Sequence, residues 1–183
     1  MKIKQIISEA CELLARGGLA EKLSAGSGLS DEENETVKTL LYCANAVEDE
    51  LARNYFPLYA TEKFTPKGGA VYFSQFKNTP VKIMSVKRGG TGLDFKLHPQ
   101  YIEVNADFIE VEYAYSPAKK GLEDDSSFPA LSPALAACGV AAEYCLIEGE
   151  VSRAQGWEIR YREKIDEARA KIRPAHIPPR RWV

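Results

Sequence analysis

The chain has 183 residues, 45% of them hydrophobic, with 24 Lys and Arg against 26 Asp and Glu for a formal net charge of −2. That length and apolar fraction suffice for one real core with a subdomain, and the charge balance gives no general drive toward nucleic acid or an anionic membrane. No apolar run approaches the length of a membrane span, and Met1-Lys2-Ile3-Lys4 leads into an amphipathic pattern with Glu9 and Glu12, unlike a signal peptide. A soluble protein, made inside a cell and without a membrane partner, is expected. The four cysteines (Cys11, Cys43, Cys138, Cys145) show no Cys-x-x-Cys spacing and no metal-like pairing with the two histidines. Cys138 and Cys145, seven apart on one helix, stand roughly 10 Å apart by helical rise, too far to bridge. Buried free thiols are expected, with no metal and no cofactor.

Ile3, Ile6, Ile7, Ala10, Leu13 and Leu14 predict a short first helix ended by Gly17-Gly18, with one further turn at Leu19 to Leu23 before a flexible loop, Ser24 to Gly28. Ser30-Asp31-Glu32-Glu33 reads as a capping box with an acidic first turn. The helix it opens has the apolar face Val37, Leu40, Leu41, Ala44, Val47 and Leu51, and ends near Tyr55 because Pro57 disfavours helix before it.

From Leu58 the period changes from helical to alternating. Val71 and Phe73 flank Tyr72; Val81, Ile83 and Ser85 alternate with Lys82 and Met84; Leu93, Phe95 and Leu97 with Asp94 and Lys96; Ile102 and Val104 flank Glu103. In Ile109 to Tyr115, Glu110 and Glu112 face away from Ile109, Val111, Tyr113 and Tyr115. Turns fall at Gly68-Gly69, Asn78 to Pro80, Gly89 to Gly92 and Asn105 to Asp107. Five or six such short strands predict a small antiparallel sandwich or barrel. Pro117 to Pro129, with Glu123-Asp124-Asp125, is a polar link back to helix.

Ser132 before Pro133 reads as an N-cap with proline at the first helical position, followed by one apolar stripe: Leu135, Cys138, Gly139, Ala142, Cys145 and Leu146. Gly149 reads as the stop, and Ser152-Arg153-Ala154-Gln155 as the capping box of a last helix. The stripe of that helix is Ala154, Trp157, Tyr161, Ile165, Ala168 and Ile172, and Pro174 closes it. The fold class expected is α+β. About four helices form a bundle from residues 1–57 and 132–173. A β insert (58–117) interrupts it, a polar link (118–131) returns to it, and an extended tail (174–183) follows.

The chemistry that composition offers is sparse. His98 in a polar turn and His176 in the tail are the only side chains that titrate near neutrality when unperturbed. Pairing Cys145 with His98 as nucleophile and base rests on residue types alone, and Cys145 lies on an apolar stripe. Gly89-Gly90-Thr91-Gly92 has no following lysine in a strand-to-helix turn, so a hairpin explains it better than a phosphate loop.

Two features invite binding. The run from Arg173 to Val183 has no acidic side chain, three arginines (Arg173, Arg180, Arg181), prolines that pre-order an extended arm (Pro178 among them), and Ile177 and Trp182 as apolar anchors. The bland alternatives are a disordered basic end or an arm folded on its own subunit. The second feature is Lys87-Arg88 beside the glycine-rich tip, suited to phosphate or an acidic surface, against the plain reading of an exposed turn.

Several stretches, in order, carry a resemblance. They are the helix end Asn45 to Pro57, the β segment closing through Ile102 to Ala106 and Val111 to Pro117, Phe128-Pro129, Gly139 to Gly149, Ala154 with Trp157 and Tyr161, and Ile177 to Val183. In this order the chain resembles the head–tail connector (adaptor, or head-completion) proteins of tailed bacteriophages, over nearly its whole length. The resemblance implies a non-enzymatic virion structural protein, made in the bacterial cytoplasm and residing at the head–tail junction. It implies a homo-oligomeric ring, twelvefold in the virion, that assembles on the portal protein after DNA packaging and meets a tail-side or stopper protein, with channel DNA as a non-specific contact. It also implies that the carboxyl-terminal arm reaches the portal or the next subunit. The competing reading from the residues is a nucleic-acid-binding module gripping DNA through Tyr72, Lys87 and Arg88, which the near-neutral charge disfavours. A thiol-dependent enzyme using Cys145 and His98 is the third.

Overall fold

The structure is a computed structural model that describes residues 1–26 and 28–172. The chain divides into two compact units, one of Met1–Ala44 with the segment from Gly121 onward, the other Asn45–Lys120. The architecture is α+β, with five helices among the described residues and two small antiparallel sheets.

In the helical unit, α1 (Ile3–Leu13), α2 (Gly17–Ala25) and the first part of α3 (Asp31–Glu50) precede α4 (Pro133–Ile147) and α5 (Val151–Ile172). Helix α4 is the centre, with α1 and α5 against it and α2 against α1. The stripe expected on α4 is a correction: Leu135 through Ala142, then Tyr144 and Cys145, are buried on every side, while Leu146 is exposed. A helix apolar all round belongs inside, and its alanines, glycine and cysteines let neighbours approach closely.

The caps explain the helix ends. The Leu135 N–H donates to Ser132 Oγ at 3.3 Å, with Pro133 following. At α3, Ser30 and Glu33 exchange bonds of 3.2 and 2.8 Å, the reciprocal box the sequence predicts. The first helix does not run to Gly17-Gly18. It stops at Ala15, which adopts φ 60°, and Gly17 opens α2 as a helix of its own. The box at Ser152 is a second correction, because α5 begins a residue earlier, where Ala154 N–H donates to the Glu150 carbonyl at 3.0 Å. The polar link holds down the start of α1: Ile3 and Lys4 N–H donate to the carbonyls of Asp124 and Leu122, and Lys2 pairs with Glu123 at 3.0 Å.

The second unit starts inside α3, which ends in a π turn (Leu51–Tyr55) two residues before Pro57. One sheet has the order β1-β7-β3-β4 and the other β2-β6-β5. Their strands are β1 (Leu58–Phe64), β2 (Ala70–Tyr72), β3 (Pro80–Arg88), β4 (Thr91–Gly92), β5 (Lys96–Leu97), β6 (Tyr101–Glu103) and β7 (Ile109–Tyr115). Val71 and Ile102 of one sheet share a core with Val86, Ile109, Val111 and Tyr113 of the other, so the unit is a two-sheet sandwich and no closed barrel. Strand β1 is one that the alternation did not single out. The run Leu93 to Leu97 is no single strand: the chain leaves one sheet after Leu93, whose N–H donates to Val86, and joins the other at Lys96. In β3, bulges at Val81 and Met84 turn both side chains to solvent, so Val81 leaves the face expected for it. No helix among the described residues is long and apolar enough to cross a membrane.

Candidate functional site

The β3–β4 hairpin turns through Gly89 (φ 56°) and Gly90 (φ 86°), which lie between the paired residues Arg88 and Thr91. A two-residue turn with both φ positive needs glycine and matches the twist of its strands. It leaves Lys87 and Arg88 in different situations. Lys87 reaches across to Glu112 on β7 at 3.3 Å, and Ser85 Oγ donates to the same carboxylate oxygen at 3.0 Å. These contacts, Ser85 first, hold the Glu112 carboxyl below its usual range. Lys87 is therefore engaged within its own sheet. The Arg88 side chain is exposed, with no hydrogen bond or ion pair of its own among the described residues.

Tyr72, from the nucleic-acid reading, is exposed and lies 5.5 Å ring to ring from Tyr101. The His98 ring stacks on Tyr101 at 4.4 Å and meets Glu103 at 2.9 Å, which lowers the Glu103 carboxyl. His98 is thus spoken for by a neighbouring carboxylate. Beside this row, Phe73, Val81, Ile83, Phe95 and Leu97 line an open apolar groove of about 460 Å³. Sequence reasoning missed Tyr101, although a signal was present: His98-Pro99-Gln100-Tyr101 is a tight turn, closed by His98 N–H donating to Tyr101.

Cys145 belongs to the helical unit and is wholly buried. Burial pushes its thiol up, away from the thiolate a nucleophile needs. The others behave alike, with Cys11 pushed up to about 11 and Cys43 to about 12 by burial, and Cys138 also raised. No group of three metal-ligating side chains converges among the described residues. On α5, the Arg160 guanidinium lies 4.8 Å over the half-buried Trp157 ring, and with Arg153 and Gly156 they form a shallow dish of about 240 Å³. Arg173, Ile177, Pro178, Arg180, Arg181 and Trp182 lie outside the described residues.

Compared with known proteins, the chain matches no family model and no curated sequence.

Proposed function

We propose that this chain is a structural, non-enzymatic head–tail connector (adaptor, or head-completion) protein of a tailed bacteriophage. Made in the host cytoplasm, it forms a homo-oligomeric ring on the portal protein after DNA packaging and links the capsid to a tail-side or stopper protein. The observation that supports this reading most is the architecture. A helical unit, left at Ala44 and resumed at Gly121, carries a contiguous antiparallel β unit between them. The stretches of the resemblance fall in order on its elements: Asn45 to Pro57 on the end of α3, Ile102 to Pro117 on β6 and β7, Gly139 to Gly149 on α4 and its cap, and Ala154, Trp157 and Tyr161 on α5. The non-enzymatic reading is supported by four buried thiols, each pushed up by burial, and by a histidine held by Glu103.

In this reading Arg173, Ile177, Pro178, Arg180, Arg181 and Trp182 are the docking arm toward the portal or the neighbouring subunit, and Arg88 is an exposed cation at the contact loop of the β unit. The experiment is co-sedimentation and negative-stain imaging of the chain with the portal ring of the same phage, beside a chain lacking Ile177 to Val183. The full chain is expected to add a ring to the portal. The truncated chain keeps its melting transition and loses attachment. A monomer that ignores the portal yet binds duplex DNA in a salt-sensitive way would replace this reading with the nucleic-acid one.

A further inference from the structure

Every sheet edge presents a row of backbone donors and acceptors that a further strand can take up, and native proteins blunt such edges. Three of the four edges in the β unit are blunted. The smaller sheet is bordered by β2 and β5, of three and two residues. On the larger sheet, β3 begins at Pro80, carries the two bulges and is covered near its end by the short β4. Strand β1 is built differently. Its seven residues pair with β7 in unbroken register, from Leu58 opposite Tyr115 to Phe64 opposite Ile109, with no proline, glycine or bulge. Its far edge has no backbone hydrogen-bond partner among the described residues. The lysine that would guard it, Lys63, is drawn sideways to Glu110 on β7 at 3.1 Å.

We infer that β1 is a self-association edge, pairing antiparallel with β1 of a second copy. The strand is self-complementary about Thr61: Leu58 falls opposite Phe64, Tyr59 opposite Lys63, Ala60 opposite Glu62, and Thr61 opposite itself. No like charges meet. An apolar pair closes each end, and Tyr–Lys and Thr–Thr pairs, both favourable across strands, occupy the solvent face. That face is open, with Tyr59, Thr61 and Lys63 all exposed. One patch meets itself, so the contact closes as a two-fold pair and joins two four-stranded sheets into one. This pairing is independent of the connector reading, whose ring requires two unlike faces.

The test is sedimentation of the purified full chain from micromolar to submillimolar concentration, with substitutions at Tyr59. This side chain is 56% exposed and sits opposite the neutral Ala114 on β7, so its replacement leaves the sheet intact. The parent chain is expected to show a monomer–dimer equilibrium. Tyr59→Lys places a lysine opposite Lys63 of the second copy at both symmetry-related positions and weakens dimerisation by about tenfold or more, the effect of two lost pairs plus repulsion. Tyr59→Glu places a carboxylate there and does not weaken it. Melting midpoints of the three chains, measured under monomeric conditions, agree. A chain monomeric throughout, equal weakening by both substitutions, or association that ignores Tyr59 and vanishes on removal of residues 173–183 would each overturn the inference.

Discussion

The Asn45 carboxamide donates to the Lys120 carbonyl at 3.0 Å and accepts from the Lys120 N–H at 2.6 Å. These are the first and last residues of the β unit, so one side chain ties together the two ends of a 76-residue excursion, Asn45 through Lys120. Asn45→Ala leaves a half-buried donor and acceptor of Lys120 unserved and should cost about 1–3 kcal/mol. Denaturant unfolding gives the loss, and faster hydrogen exchange at the Lys120 amide locates it.

Two helices end in the same motif with different residues at the left-handed position. Arg16 N–H donates to Cys11 and Ala15 N–H to Glu12; Glu150 N–H donates to Cys145 and Gly149 N–H to Leu146. Ala15 holds φ 60° where the second motif has Gly149 at 77°. An alanine there carries a Cβ penalty that glycine avoids. Ala15→Gly should raise stability by a few tenths to about 1 kcal/mol. Gly149→Ala should lower it by about 1 kcal/mol, and its added methyl would touch nothing within 4 Å, so the cost is backbone strain alone. Melting temperatures moving in opposite directions are the readout.

Tyr113 is fully buried and its hydroxyl donates to Glu62, whose oxygens also accept from the Lys77 N–H at 3.2 Å. Burial first, then Glu62, push the phenol up from 10 to about 12. A raised folded-state value means stability is whole below pH 10 and falls as pH rises through about 12, because the unfolded phenol ionises first. Tyr113→Phe should remove that part of the alkaline loss. Stability measured at pH 9 and pH 11 for both chains tests it, the expected result being a shallower decline in the variant.

The apolar stripe of α5 is deepest at Tyr161 and Ile165, each 1% exposed, whereas Trp157 is half-buried beneath Arg160. Ile165→Ala should therefore cost about 2–5 kcal/mol as a core cavity. Trp157→Ala should fall short of the roughly 3–5 kcal/mol of a fully buried large aromatic. Thermal unfolding of the two variants side by side decides the order.

How far the fold could be read beforehand depends on how local its causes are. Ser30 with Glu33, Ser132 with Pro133, and Gly149 act within a turn of themselves, and each marks a helix end where the sequence places it. The misreadings have longer-range causes. Glu62 sits on the inner face of β1 between Ala60 and Phe64, breaking the alternation, and it is tolerated there because Tyr113, fifty-one residues away, supplies a hydroxyl. The bulges at Val81 and Met84 shift the inward face of β3 in a way only the β7 register reveals. Lys87 has its partner in Glu112, twenty-five residues away, which the sheet alone brings beside it. Of the binding residues singled out, Arg88 alone is an exposed cation among those described.

The wrapping of the polar link over α1 has a further consequence, for the order in which the chain takes shape on the ribosome. The β unit is one continuous stretch, so its strands can pair as soon as Tyr115 has emerged. The first helices cannot settle then: α1 packs on α4, and its opening amides bond to Leu122 and Asp124, all made later. Closing that unit joins partners more than a hundred residues apart in sequence, the slow kind of contact. A nascent chain arrested before Ser132 should accordingly show slow hydrogen exchange along β7 and fast exchange along α1. Helix α1 thus becomes native only after α4 has been made, and until then Ile3, Ile6 and Ile7 are the apolar surface a chaperone would meet.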